Sequence, residues 1–442
     1  MNLLDWLKPG IRIKRWLILG AVGILCIIVG FYPVVDKTIG SRLSPGYHVI
    51  LFAVGILLIW AAVQKGIISI LNLFDMSESS VGYKTKIDKK ILEKRVLNKG
   101  PKTVVIGGGT GLSVLLRGAK SYTSNITAIV TVADDGGGSG ILREDLGMLP
   151  PGDIRSCILA LADTEPIMEQ LLQYRFEEGS LKGQSFGNLL IAAMNGISGN
   201  FEEAIRKIND VLAVTGKVLP VTLEDVTLYA KLKNGKVIKG ESQIPLKVKE
   251  LDSEIHQIFI KPQNAKPLNE SITAILQADV VILGPGSLYT SVLPNLLVQD
   301  ITRAIESSSA IKVYVTNVMT QPGETDGYGV WQHVQAIIDH VGCRLVDYIL
   351  VNNEEIPVKV LEKYVLDGAT PVMLSGEDRQ LLMDNGIKII ESPLVDVKKH
   401  YIRHDADKLC QIITRLALDH KYAEDKNRIT VYFQLKDRFL NS

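Results

Sequence analysis

The chain has few cysteines, few histidines and almost no excess charge. Its 442 residues include seven histidines and carry a formal net charge of +1. The four cysteines, Cys26, Cys157, Cys343 and Cys410, are far apart and form no CxxC pair. This pattern predicts reduced thiols in a cytosolic compartment, and without a His/Cys cluster we expect no metal site. Since no concentrated excess of Lys and Arg is present in the main part of the chain, we also expect no nucleic-acid partner.

Long uncharged stretches are concentrated near the N-terminus. Trp16 to Val35 and Tyr47 to Gln64 contain no Lys, Arg, Asp or Glu, and each approaches the roughly 20 residues that cross a bilayer. A cleaved signal peptide is disfavoured because the first stretch is long and a second follows it. The short connection predicts a two-helix transmembrane hairpin.

Basic residues flank the outer ends of both stretches. Lys8 and Arg12 precede the first, while Lys65 and a Lys-rich segment follow the second. Positive flanks stay in the cytoplasm, so we expect an inner-membrane protein with both termini and the main domain cytoplasmic. The apolar patch Gly66 to Phe74 fits either an interfacial segment or a longer second helix.

Composition divides the chain into four predicted parts. These are a transmembrane hairpin at residues 1–75, a cytoplasmic linker at 76–100, a ligand-binding domain at 101–420 and a C-terminal tail at 421–442. The linker is polar and Lys-rich, which is typical of segments near anionic headgroups.

A strand, a glycine-rich loop and a helix open the main domain. The β-branched run Thr103 to Ile106 precedes the loop, and a helical pattern begins at Leu112. Glycines let a backbone approach a phosphate, and free N–H groups at a helix start attract anions. The loop lacks the Gly-Lys-Ser/Thr of a Walker A motif, and the alternative is a tight turn with no ligand. The candidate ligand-binding residues here are Gly107, Gly108, Gly109, Thr110 and Gly111.

A second strand, Ile126 to Val132, ends in two carboxylates and a glycine run. In a doubly wound sheet an acid at this position accepts hydrogen bonds from sugar hydroxyls. The alternative is a surface Asp-Gly turn. The candidates are Asp134, Asp135, Gly137 and Ser139.

Two predicted helix starts carry further candidates. Asp153 is placed to cap a helix, and Arg155 is free to pair with a carboxylate or phosphate. Asn188 fits equally well as a ligand-binding amide and as a helix cap.

The α/β pattern resumes with the strands Asp279 to Leu283 and Ile311 to Val315. Both end in polar residues, which predicts a shared crevice, since ligands of open α/β sheets bind outside the carboxyl ends of the strands. Between the two halves, Val226 to Leu232 and Val237 to Gly240 predict an antiparallel hairpin with a type I′ turn at Asn234 and Gly235. Strand-end candidates are Gly284, Gly286, Ser287, Asn317, Thr320 and Gln321.

These features predict an α/β fold: a Rossmann-like, mostly parallel, doubly wound sheet with a small antiparallel insertion, preceded by the transmembrane hairpin. Further strands are expected at Val346 to Val351 and Gly386 to Ile390. A basic cluster that includes Arg403 precedes a helix at Asp405 to Leu418.

Several motifs in one order resemble the gluconeogenesis factor family, known as YvcK or GlmR, and more distantly the 2-phospho-L-lactate transferases (CofD). They are GGGTGLSVLLRG, VTVADDGGGSG, PPGDIR, FGNLL, LGPGSLYTSVLPNLL, MTQPGETDGY and YIRHD. The resemblance implies a Rossmann-like domain that binds UDP-N-acetylglucosamine and links carbon metabolism to cell-envelope precursor synthesis and cell shape. It makes Arg403 a ligand contact. Gly138 stands where many relatives have Ser, and the PPGDIR segment is less acidic than in the transferases.

Three functions therefore remain open. The first is a membrane-tethered nucleotide-sugar-binding regulator. The second is a transferase that uses a nucleotide-activated donor, with Asp134 or Asp135 binding a metal such as magnesium or acting as the base. The third is an NAD-binding regulatory protein. An amino-sugar biosynthetic enzyme is a candidate partner, and we expect a homo-oligomer.

Overall fold

Two apolar helices form the first part of the structure, a computed structural model that describes residues 14–35, 45–71, 94–398 and 401–440. Predictions for Lys8, Arg12, the hairpin connection at 36–44, and linker residues 76–93 lie outside these ranges. The chain divides into two units, residues 1–87 and 88–442. Helix α1 is Lys14–Val35 and helix α2 is Pro45–Leu71, so the patch after Lys65 extends the second helix as far as Leu71.

Helices α1 and α2 pack closely through glycines. A Cβ atom added to Gly55 would lie 2.8 Å from the Gly23 carbonyl oxygen, and one added to Gly30 would lie 2.8 Å from the Phe52 nitrogen. Small residues at such contacts let helix backbones approach, as in membrane helix pairs. Large apolar side chains of both helices remain exposed, among them Leu25, Val49 and Leu57.

Among the described residues, one helix is long and apolar enough to cross a membrane, by length and composition. It is Tyr47–Lys65, and Ile18–Phe31 is a shorter apolar helix. Of the two membrane spans predicted from the sequence, one therefore meets this criterion of length and composition among the described residues.

The second unit alternates strands and helices. Its strands are β1 Thr103–Gly107, β2 Ile126–Val130, β3 Lys217–Pro220, β4 Thr227–Leu232, β5 Val237–Lys239, β6 Ile255–Lys261, β7 Val280–Leu283, β8 Ile311–Val315, β9 Tyr348–Asn352, β10 Lys388–Ser392, β11 Val395–Lys398 and β12 Tyr401–His404. Its helices are α3 Gly109–Ala119, α4 Gly137–Leu146, α5 Gly152–Leu161, α6 Pro166–Gln173, α7 Phe186–Ser198, α8 Phe201–Val211, α9 Ile244–Glu250, α10 Asn269–Leu276, α11 Leu293–Leu296, α12 Gln299–Ser307, α13 Val330–Val341, α14 Val358–Leu366, α15 Gly376–Asp384, α16 Ala406–Lys421 and α17 Lys426–Leu440.

A seven-stranded sheet organises this unit, in the order β10-β9-β8-β7-β1-β2-β3. Every neighbouring pair is parallel. Strands β1 and β7 are fully buried because helices cover both faces, which explains their uninterrupted β-branched and aliphatic sequences. The predicted mostly parallel, Rossmann-like sheet is confirmed. The strand order reverses between β1 and β7, which is the topological switch point.

Strands β4, β5 and β6 form the small antiparallel sheet predicted as an insertion. The predicted type I′ turn is wrong: Gly235 has φ +83°, whereas Asn234 does not have a positive φ. Three residues, 233–235, separate the paired ends Leu232 and Lys236. A three-residue hairpin loop needs one left-handed residue, and glycine supplies it.

Three features differ from the sequence prediction. Strand β3 and the hairpin β11–β12, whose strands have four residues each, were not predicted. The glycine run after β2 is not a loop, since Gly137 begins helix α4. A side chain at Gly140 would overlap the Asp135 carbonyl group, so glycine is required there for close packing.

Candidate functional site

Two glycine loops meet at the switch point, one after β1 and one after β7. A Cβ atom added to Gly111 would lie 2.7 Å from the Pro285 carbonyl oxygen, and one added to Gly286 would lie 3.2 Å from the Gly108 carbonyl oxygen. Gly109 and Gly284 have φ of +66° and +79°, a region that favours glycine. The residue types of both loops are therefore set by backbone conformation and by their mutual contact.

A cavity of about 420 Å³ lies outside these two loops. It is lined by backbone N–H groups at the start of α3, by amides and hydroxyls, and by one guanidinium. Such a lining suits a polar ligand with anionic groups. The lining includes the predicted residues Gly108, Gly109, Thr110, Gly111, Gly286, Ser287, Asn317, Gln321 and Arg403.

Side-chain hydrogen bonds connect the loop after β7 with the loop after β8. Gln321 Nε2 donates to Ser287 Oγ at 2.7 Å, and Asn317 Nδ2 donates to Gln321 Oε1 at 3.2 Å. Asn317 Oδ1 is buried and has no hydrogen-bond partner in the described part of the chain. It is therefore an acceptor available to a ligand hydroxyl.

A pair of carboxylates lies behind the first glycine loop. A Cβ atom on Gly108 would lie 2.5 Å from Asp153 Oδ2, and the Gly109 N–H is a hydrogen-bond donor to this carboxylate. Burial, followed by repulsion from Asp134, raises the pKa of Asp153 to about 6. Burial also raises the pKa of Asp134, against the effect of hydrogen bonds from Gly136 and Ser139. The pair can hold or release a proton near neutral pH.

The β12 strand forms the outer wall of the cavity. Arg403 lies opposite Asp396 in the β11–β12 ladder. His404 Nε2 lies 2.9 Å from the Thr316 carbonyl oxygen at the end of β8. Burial lowers the pKa of His404 to about 4, so this histidine is neutral at pH 7 and donates to Thr316.

Other predicted residues have local structural contacts. Thr320 Oγ1 accepts from the Thr370 N–H at 2.8 Å, and Asp135 accepts from the Ser242 N–H at 2.9 Å. Neither lines the switch-point cavity. Gly107 ends β1, and its carbonyl oxygen accepts a hydrogen bond from the Asn295 side-chain amide. A Cβ atom added to Gly137 would have no neighbouring atom within 4 Å.

The predicted cap at Asp153 is wrong, and of the two alternatives for Asn188 the structure excludes the cap. Pro151 occupies the cap position of α5, and Asp153 contacts Gly109 instead because it lies inside the first turn. Ser185 caps α7 by accepting from the Asn188 N–H, so Asn188 is not the cap. The Asn188 side chain is buried, and its Oδ1 has no partner among the described residues.

Several residues in or near the cavity were not among the site residues predicted from the sequence. Tyr364, Tyr401 and His404 line the cavity, and only the YIRHD motif gave a signal for the last two. Glu324 is buried, and desolvation raises its pKa to about 7. Burial raises the pKa of Glu241 well above its ordinary value, with Asp153 the next cause. Glu241 belongs to the insertion, where no motif pointed to function.

The carboxylates are not arranged as a metal site. Within residues 14–35, 45–71, 94–398 and 401–440, no group of three or more His, Cys, Asp or Glu side chains could hold a metal ion.

Comparisons with known proteins bear on the family and on the fold of the chain. Residues 103–395 match the family described as 2-phospho-L-lactate transferase CofD. A Clostridium acetobutylicum protein named as a gluconeogenesis factor is 52% identical over 442 residues, covering 99% of this chain and 97% of that protein. The Bacillus subtilis strain 168 gluconeogenesis factor is 47% identical over 321 residues, covering 72% of this chain and 99% of that protein. A crystal structure of a UPF0052 family member from Bacillus halodurans is 49% identical, with a TM-score of 0.67, covering 70% of this chain and 98% of that one.

Proposed function

Because the chain belongs to the gluconeogenesis factor family and contains its CofD-like domain, we propose that it is a nucleotide-sugar-binding regulator tethered to the membrane. Its ligand is a UDP-N-acetylglucosamine-like nucleotide sugar. The switch-point cavity between two glycine loops carries this proposal. By this role it links carbon metabolism to the supply of envelope precursors and to cell shape.

The lining of the cavity matches the parts of such a ligand. Backbone N–H groups at the start of α3 and the Ser287 hydroxyl suit a diphosphate. The free Asn317 Oδ1 suits a sugar hydroxyl or amide, and the Tyr364 and Tyr401 rings offer aromatic surface for a base or sugar.

The membrane tether is part of the proposal. We propose that α1 and α2 both cross the inner membrane as a hairpin, with both termini and the ligand-binding domain in the cytoplasm. The close contacts at Gly23, Gly30 and Gly55, together with the exposed apolar side chains of both helices, support this arrangement.

Calorimetric titration of the full chain in detergent micelles with UDP-N-acetylglucosamine tests the proposal. We expect saturable binding that weakens roughly three- to tenfold in Ser287→Ala, because one hydrogen bond to the ligand is lost. Ser309→Ala is the matched control, since Ser309 is exposed and outside the cavity. No heat of binding at millimolar ligand would reject the proposal.

Phospho-lactyl transfer from a nucleotide-activated donor is the second candidate function. The pKa of Asp153, raised to about 6, favours it, because a carboxylate that titrates near neutral pH suits a general base. Burial raises the pKa of the neighbouring Asp134 in the same direction. Product formation followed by chromatography tests it. Turnover that persists unchanged in Asp134→Asn would remove Asp134 from that role.

An NAD-binding regulator is the remaining alternative. Rossmann-like sheets bind dinucleotides at the same switch point. Titrating NAD into the chain already saturated with UDP-N-acetylglucosamine distinguishes the two ligands. The regulator proposal predicts that millimolar NAD does not displace the nucleotide sugar.

A further inference from the structure

A second cavity, of about 750 Å³, lies along helix α3 on the side of α5 and of the start of α16. It shares Thr110, Val114, Arg403 and His404 with the switch-point cavity. Its remaining lining is rich in arginine, and Arg175 is a residue that no sequence motif singled out. The arginines that line it are Arg117, Arg155, Arg175 and Arg403.

The carboxylates of this cavity already have partners. Asp405 caps α16 by accepting from the Lys408 N–H, and Asp407 accepts from the Tyr122 hydroxyl at 2.9 Å. Arg117 is paired with Glu169 at 2.8 Å. Among the described residues Arg155 and Arg175 form no ion pair with a carboxylate, and neither does Arg403. Asp153 and Asp134 act on the charge of Arg155 only electrostatically.

Arg155 is incompletely satisfied. Its Nη1 donates to Ser185 Oγ, whereas its Nε is buried and has no partner among the described residues. A buried N–H of a charged group without an acceptor is costly, and an acceptor supplied by a ligand would remove this cost.

Arg175 adds a second positive charge to the same cavity. Its Nη1 donates to the Gly183 carbonyl oxygen, and its other side-chain N–H groups have no hydrogen-bond partner within the residues that the structure describes. Burial, and then repulsion from Arg175, lowers the pKa of Arg155. Two guanidiniums that repel each other across a cavity form a complementary environment for a dianion.

We propose that Arg155 and Arg175 bind the phosphoryl group of a second ligand, inorganic phosphate or a phosphate monoester, in a subsite separate from the nucleotide-sugar cavity. Each guanidinium donates to the phosphate oxygens, and the Arg155 Nε gains its missing acceptor. The proposal rests on the proposed function only in assigning the first cavity to the nucleotide sugar.

Calorimetric titration with inorganic phosphate, on the full chain in detergent micelles, tests the subsite. We expect binding in the wild type that weakens at least about tenfold in Arg175→Gln, because a charge-assisted contact is lost. Arg206→Gln is the matched control: it also removes one exposed arginine, which lies on α8 and outside the cavity. Because Arg175 is exposed, its substitution should leave the thermal unfolding temperature unchanged.

A second titration, with saturating UDP-N-acetylglucosamine present, separates the two cavities. Retained phosphate binding supports a separate subsite, whereas complete competition overturns it by placing phosphate in the switch-point cavity. Equal phosphate affinity of wild type and Arg175→Gln, or no binding to the wild type at millimolar phosphate, also overturns it. Absence of nucleotide-sugar binding with intact, Arg175-dependent phosphate binding would reject the proposed function alone. Replacing phosphate by glycerol 3-phosphate shows whether the ester or the free ion binds more tightly.

Discussion

At the scale of single residues, the carboxylates behind the glycine loop are the most unusual groups of the domain. Asp153, Asp134 and Glu241 interact electrostatically in a poorly solvated region. In each case desolvation is the largest cause of the raised pKa. Burying these carboxylates near one another lowers the stability of the folded protein. Such clusters of groups with shifted pKa values are typical of sites for binding or proton transfer.

Replacement of Asp153 by Asn should stabilise the protein at alkaline pH. A carboxyl group whose pKa is raised from 3.8 to about 6 contributes its full stability below pH 3.8, and this contribution is lost as pH rises through 6. Asn cannot ionise, so Asp153→Asn should raise the free energy of unfolding at pH 8 by about 1–3 kcal/mol, with no gain at pH 4.

Urea denaturation of both variants at pH 4, 6 and 8 measures this difference. Asp145→Asn, at an exposed position of α4, is the control and should show no comparable gain. Loss of stability at pH 8 in Asp153→Asn would contradict the electrostatic argument and show that the Gly109 contact dominates.

At the scale of elements, the sequence predicted what depends on local pattern. Strand β1, its glycine loop and helix α3 were predicted together, because β-branched residues, glycines and a helical period follow one another. The glycine run at the start of α4 was predicted to be a loop, whereas it begins a helix in which Gly140 is needed because its backbone packs closely against the Asp135 carbonyl group. The cavity wall at Tyr364 and Tyr401 was missed, because α14 and β12 meet the glycine loops only through the fold.

The contact between the two glycine loops gives a test at this scale. Alanine at Gly111 places a Cβ against the Pro285 carbonyl, so we expect a loss of about 1–3 kcal/mol in unfolding free energy and weaker nucleotide-sugar binding. Gly196 lies in helix α7 with nothing within 4 Å of an added Cβ. Gly196→Ala should therefore stabilise the protein by about 0.4–1 kcal/mol. Both variants replace a glycine by alanine, so thermal unfolding and ligand titration can compare them directly. Equal changes in stability and affinity in the two variants would refute the role of the loop contact.

At the scale of the whole molecule, the chain joins two units of different chemistry. The Bacillus subtilis relative aligns over 99% of its own length with only 72% of this chain, so more than a quarter of this chain has no counterpart in that relative. The Clostridium acetobutylicum relative aligns with 99% of this chain.

Membrane fractionation tests the tether. We expect the full chain to remain in the membrane pellet after an alkaline carbonate wash, because the apolar helices are held by the hydrophobic effect. A variant that begins at residue 94 should move to the supernatant and keep its nucleotide-sugar affinity. Release of the full chain by carbonate, or retention of the shortened variant, would contradict the hairpin proposal.

The hairpin β11–β12, which carries Arg403, rests on an apolar cluster apart from the main core. That cluster contains Val318, Met319 and Ala369, with Val395 and Ile402 packed against it. A wall supported by a small satellite cluster opens at a lower free energy than the sheet beneath it, and its amide hydrogens should exchange with solvent faster than those of β1. Where a ligand binds only to molecules with the wall closed, the observed dissociation constant equals the intrinsic one divided by the closed fraction. Substitutions at Ala369 or Val395, which belong to this cluster and do not line the cavity, should therefore tune affinity without touching the ligand.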